Sequence, residues 1–145
     1  MKSFKSAGLG KTLIIELERG EKIIEGISNA LREAGIENAI VGSAVGSIQK
    51  LNYHRPTDMA AAASDEFVTV ERPMEIGSLI GSVFGGVAHF HIVASDPDQV
   101  YSGHLELGSE TMYLLEIVMV EVTECSLERR LTSENVKKLF EKVSI

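Results

Sequence analysis

Alternation of apolar and polar residues runs through most of the chain, and helical spacing interrupts it in two places. Lys11–Glu18, rich in branched apolar side chains, predicts a strand. From Gly20 to about Ala34 the period changes. Ile23, Ile27 and Leu31 recur every fourth residue with Ile24 beside them, which predicts a helix with one apolar stripe. Glu21 suits the positive end of that helix and Gly35 its terminus. Residues 36–51 return to an extended pattern, in which Gly42 and Gly46 read as a bend or a close backbone approach. Residues 52–65 predict a loop. Strands follow over 66–71, 74–83 (after the break at Pro73), 87–94, 100–107 and 111–123. The last is nearly all apolar, which suits a central place in a sheet. Thr132 or Ser133 then caps a second helix to about Lys142, with Val136, Leu139, Phe140 and Val143 at i, i+3, i+4 and i+7.

This order predicts an α+β fold: a mostly antiparallel β-sheet with an N-terminal strand–helix unit and a C-terminal helix. No repeat, linker or low-complexity stretch divides the 145 residues. One domain is therefore expected over 1–145, with its core at about 11–124 and the C-terminal helix at about 133–143. The formal charge of −7 argues against unassisted nucleic-acid binding, which needs a local surplus of Lys and Arg. No apolar run reaches the roughly 18 residues of a membrane span, and the first ten residues lack a signal-peptide core. Cys125 is the one cysteine, so no internal disulfide forms. A cytoplasmic protein without a membrane partner is expected.

Candidate chemistry concentrates between Gly81 and His104, which hold three of the four histidines. His89 and His91 are two apart in an apolar run, so on a strand both leave the same face. His104 follows a turn-rich gap containing Asp96-Pro97-Asp98. If the chain folds back there, three imidazoles converge. Three protein ligands with one open position is the arrangement of exchangeable or catalytic zinc sites. A His-x-His pair is also common without a metal, and spacing alone leaves both readings open. Glu106 lies on the His104 face as a possible partner for that ring, and His54 falls in the expected loop. Glu75, Glu106 and Glu116 are the candidate bases if a metal activates water, with Glu75 and Glu116 otherwise read as solvent-facing. Gly81, Gly85 and Gly86 lack the Lys-Ser/Thr ending of a phosphate loop. Ser43, Ser47 and Ser78 have no nucleophile elbow. Cys125 follows Glu124, which disfavours a thiolate.

Several pieces taken together resemble a known family. They are Leu17-x-x-Gly20-Glu21, Gly35-Ile36, Ala39-x-Val41-x-Ser43-Ala44-Val45-Gly46-Ser47, Met74-Glu75-Ile76-x-Ser78-Leu79-x-Gly81, His89-x-His91 and Gly103-His104-Leu105. In this order, over roughly Thr12 to Glu124, they resemble the PPC ("plants and prokaryotes conserved") domain. The resemblance implies a compact α/β sandwich-like domain that assembles as a homotrimer. It also implies a metal, zinc, on the trio His89, His91 and His104. Plant members reach DNA through a separate AT-hook peptide of the Arg-Gly-Arg-Pro type. Glu71-Arg-Pro-Met and His54-Arg-Pro-Thr do not substitute for it.

The first reading is accordingly a zinc-binding homotrimer that serves assembly or binds a small molecule at the metal. The alternatives are a zinc-dependent enzyme using the open position, and a DNA-binding regulator by family analogy. For the last, Arg129-Arg130 and Lys137-Lys138 are the local basic pairs, and Glu128, Glu134 and Glu141 surround them, as on a solvated face.

Overall fold

Burial alternates along β1 (Gly8–Glu18): Ile15 and Leu17 point inward, while Ile14, Glu16 and Glu18 point outward. The computed structural model describes residues 1–142 of the chain. Gly20, at φ +85°, turns the chain out of β1, and its N–H reaches the Thr111 carbonyl at 2.9 Å. The helix α1 (Ile23–Glu33) therefore starts three residues later than its first glycine suggests. Ile23, Ile27 and Leu31 are its buried stripe. Gly35 ends it at φ +67°, where the N–H of Ile36 closes on the Leu31 carbonyl.

Six strands make one antiparallel sheet in the order β1-β6-β2-β3-β4-β5. Besides β1 these are β2 (Ala39–Pro56), β3 (Asp65–Phe84), β4 (Val87–Ser95), β5 (Val100–Leu105) and β6 (Glu110–Thr123). The nearly all-apolar strand β6 is an interior strand, between the edge strand β1 and β2, rather than the centre of the sheet. At 18 residues β2 is long enough to serve two neighbours on one side. Its first part pairs with β6, and Tyr53 and His54 pair with Leu105 and His104 of β5. The sheet thus closes on itself through β2, β3, β4 and β5. Phe90, Ile92, Leu79, Leu51, Leu105 and Met74 are buried in the core that this closure encloses.

Three expectations need correction. Residues 52–56 belong to β2 rather than to a loop, and Pro73 lies within β3 without interrupting it. The expected C-terminal helix over 133–143 is instead a hairpin of β7 (Leu127–Leu131) and β8 (Lys137–Glu141). Thr132, expected as a helix cap, bonds the Val136 carbonyl through both its N–H and its Oγ1, each at 2.9 Å. Asn135 takes φ +58°, a turn conformation that asparagine tolerates. Val136, Leu139 and Phe140 fit a helical period, but three apolar residues in a short polar stretch fit a hairpin as well. Val143, the fourth of that stripe, lies outside the described residues. Among the described residues no helix is long and apolar enough to cross a membrane.

Candidate metal centre

Register places the histidines. In β4 against β5, His91 is directly opposite His104, and in β5 against β2, His104 is opposite His54. Directly opposed residues point to the same face, so these three rings form one row across three strands. His89, two residues before His91, extends the row along β4 on that face. Ring centroids are 5.3 Å apart for His89–His91, 4.9 Å for His89–His104 and 5.4 Å for His91–His104. One nitrogen of each of these three rings lies within 4.8 Å of the others.

The β4–β5 turn fixes that register. Asp96 Oδ1 accepts the N–H groups of Asp98 and Gln99 at 2.8 and 3.0 Å. Its Oδ2 accepts Tyr101 Oη–H at 2.8 Å and pairs with Arg72 at 3.1 Å. A one-residue slip here would turn His104 to the other face. Close backbone approach holds the strands as well. A Cβ on Gly81 would stand 2.1 Å from the His89 carbonyl oxygen, and one on Gly103 would stand 2.5 Å from that of His54. Glycine is what lets β3 and β2 come so near the histidine-bearing strands.

Burial favours the neutral form of His89 and His104. It is the first cause that lowers the His89 pKa, and the charge of Arg129 and the neighbouring His91 and His54 add to it. For His104, burial and then His54, His89, His91 and Lys137 bring it down to about 4. At neutral pH both rings keep a lone pair, which is the form that ligates metal. His91 is exposed, so the cluster opens to solvent on one side.

A second group, His54, His104 and Glu106, shares His104 with the first. His54 Nδ1–H donates to Glu106 Oε1 at 2.6 Å, since an ionised carboxylate only accepts. The His54 ring stacks on His104 at 4.4 Å. Glu106 is therefore spent on His54 rather than on His104, the partner its strand position suggested. In this second group His54 Nδ1 and Glu106 Oε1 are already committed to each other, whereas the trio His89, His91 and His104 offers three imidazoles with no such commitment. Three imidazoles suit zinc, whose tetrahedral Zn–N bonds of about 2.0–2.1 Å need donors about 3.3 Å apart, and nitrogens already within 4.8 Å of one another need at most a modest closing.

Of the other sequence candidates, Glu75 and Glu116 lie exposed, Glu75 opposite Ser95 and Glu116 opposite Glu16 and Val45. Neither belongs to the histidine groups. His54 was signalled in the sequence only faintly. Leu51 and Tyr53 are buried, so Asn52 and His54 take the opposite face, a period that Arg55-Pro56 cuts short. Arg129 carried no such signal. Its Nη2 donates to Ser82 Oγ at 3.0 Å, and Ser82 is the cross-strand partner of His89.

Comparison with known proteins gives the following. The family model of the Plants and Prokaryotes Conserved (PCC) domain matches residues 4–123. The metal-containing protein from Archaeoglobus fulgidus is similar at 25% identity and TM-score 0.80, over 93% of this chain and 95% of that one. A plant- and prokaryote-conserved protein from Pyrococcus horikoshii is similar at 24% identity and TM-score 0.78, over 100% of both chains. A candidate DNA-binding protein from Bacteroides thetaiotaomicron shares the fold at 18% identity and TM-score 0.76, over 94% and 96%. No curated protein matches the chain.

Proposed function

The chain belongs to the Plants and Prokaryotes Conserved domain family, and we propose that it functions there as a zinc-binding homotrimer. In this reading His89, His91 and His104 hold the metal and leave one position for a small molecule. The observation that carries it is the convergence of three imidazole nitrogens within 4.8 Å on a solvent-open face. The name of the Archaeoglobus fulgidus relative, a metal-containing protein, supports the same assignment. When bound, zinc supplies a Lewis acid and an exchangeable coordination position. The chain's own residues do the rest. Asp96 and the close-packed glycines orient the rings, burial keeps His89 and His104 unprotonated, and Glu106 fixes the tautomer and tilt of His54 beside them.

Elemental analysis of protein purified without chelator tests this directly. About one zinc per chain is expected. His104→Ala should lose it, because a pair on one strand remains where three ligands stood. Zinc retained at wild-type stoichiometry in His104→Ala, or absent from wild type after zinc is supplied, would sink the assignment. The homotrimer draws on exposed apolar residues of the β1–β6–β2 face, among them Ile14 at 76% and Val45 at 64% exposure. The DNA-binding reading has less behind it. Of the two basic pairs such a footprint would use, Arg130 and Lys138 are committed to Glu128 and Glu134, and Arg129 and Lys137 stand on the same short hairpin as those glutamates.

A further inference from the structure

The hairpin β7–β8 lies beside the histidine row. Leu127 is buried at 6% exposure and anchors β7. The turn between β3 and β4 is held against it by Asn38, whose side chain accepts from Gly85 N–H at 3.0 Å and donates to the Cys125 carbonyl at 2.7 Å. Arg129 shares the Leu127 face of β7, two residues on, and is half-buried. One guanidinium donor goes to Ser82 Oγ, and Nε is buried with no partner. Among the described residues no carboxylate comes within ion-pair reach of Arg129, and Glu128 turns instead to Arg130. Because Ser82 stands directly opposite His89, this cation, which lies 5.8 Å over the Phe84 ring but has no carboxylate partner among the described residues, sits at the edge of the trio. A partly buried charge with unmet donors costs free energy unless a counter-ion supplies what is missing.

From this placement we infer that Arg129 makes the site selective for a small oxyanion, a carboxylate or a phosphoryl group, held between the guanidinium and the histidine trio. The inference rests on the metal-binding reading above and deepens it by naming the ligand class. A guanidinium presents paired N–H donors that match two oxygens of one anion. The hairpin read from sequence as a solvated face thus carries the specificity element. Arg129 is a binding residue here, and no covalent step is required of it.

The test is calorimetric titration of inorganic phosphate and, separately, acetate into wild type and Arg129→Gln. Each protein is taken zinc-loaded and metal-free, with zinc content measured throughout. Zinc uptake should be equal in the two proteins. The zinc-loaded wild type should bind at least one of the anions about tenfold more tightly than Arg129→Gln, and the preferred anion distinguishes a phosphoryl from a carboxylate ligand. Equal affinity in the two proteins overturns the inference, as does no binding by zinc-loaded wild type at millimolar anion. If neither protein takes zinc, the metal reading fails on its own. The metal-free pair then decides, a tighter wild type keeping Arg129 as an anion site and equal affinities removing it. Should Arg129→Gln fail to fold, Ser82→Ala, which removes the hydroxyl that holds the guanidinium beside His89, takes its place and should bind about threefold more weakly.

Discussion

Gly81 is held at φ +137°, with the His89 carbonyl and the Phe90 Cα where a side chain would begin. A methyl group there meets backbone, which cannot swing aside as a flexible side chain can. Gly81→Ala is therefore expected to destabilise the protein by about 2–4 kcal/mol, measured as a lowered urea midpoint at unchanged m-value. Because the displaced partner is His89 itself, the same variant should bind zinc more weakly even when folded. At this scale the sequence was partly legible. The parity of His89 and His91 follows from a two-residue strand period, and it held. The role of Glu106 did not follow, since its hydrogen bond goes to His54, a residue 52 positions away whose nearness depends on sheet closure. Arg129 looked like any surface arginine among glutamates, and only the fold sets it beneath Ser82.

The β4–β5 hairpin carries all three proposed ligands, and Asp96 is its fastening. The Asp96 side chain is 1% exposed and accepts from Tyr101, Asp98 and Gln99. Burial opposes its ionisation, but those hydrogen bonds and the Arg72 charge outweigh it and hold its pKa below 3.8. A carboxyl with a depressed folded pKa adds stability above its unfolded value, and that stability is lost as pH falls through the folded one. The melting temperature should accordingly drop as pH goes from about 5 to 3. Asp96→Asn should start lower at pH 7 and show a flatter descent. An unchanged acid limb in Asp96→Asn would place the titrating group elsewhere. Elements were legible where burial imposes a strong period: α1 has three isoleucine or leucine positions fully inside. They were not at the C-terminus, where Leu139 and Phe140 are only half-buried and either period fits. There the turn at Asn135 decides, and turn chemistry outweighs a three-residue stripe.

Across the whole molecule, the β1–β6–β2 face leaves Ile14, Val45 and Leu114 accessible at 76%, 64% and 41%, interleaved with Glu16 and Glu116. In the proposed homotrimer this face is covered. Light scattering should then report about three times the 15.8 kDa chain mass. Ile14→Glu, which places a charge on an already exposed position, should lower that mass without lowering the helix or strand content. A monomeric wild type would refute the trimer, and a trimeric Ile14→Glu would move its interface away from this face. The general class, an antiparallel sheet led by a strand and a helix, was legible because most strands pair with sequence neighbours or with long apolar partners. The closure through β5 was not, because no local pattern announces which distant edge a six-residue strand will meet.

That closure rests on two register pairs, Tyr53 with Leu105 and His54 with His104, which join residues about fifty positions apart. The β3–β4 and β4–β5 pairings are local and lose little chain entropy when they form. The β2–β5 seam must wait for them and then close a long loop for few hydrogen bonds. Folding is therefore expected to assemble His89, His91 and His104, with Glu106 at the end of β5, on a finished hairpin before His54 arrives. A metal captured early would meet the trio before the His54 ring stacks on His104, and the site would stay open to solvent at His91.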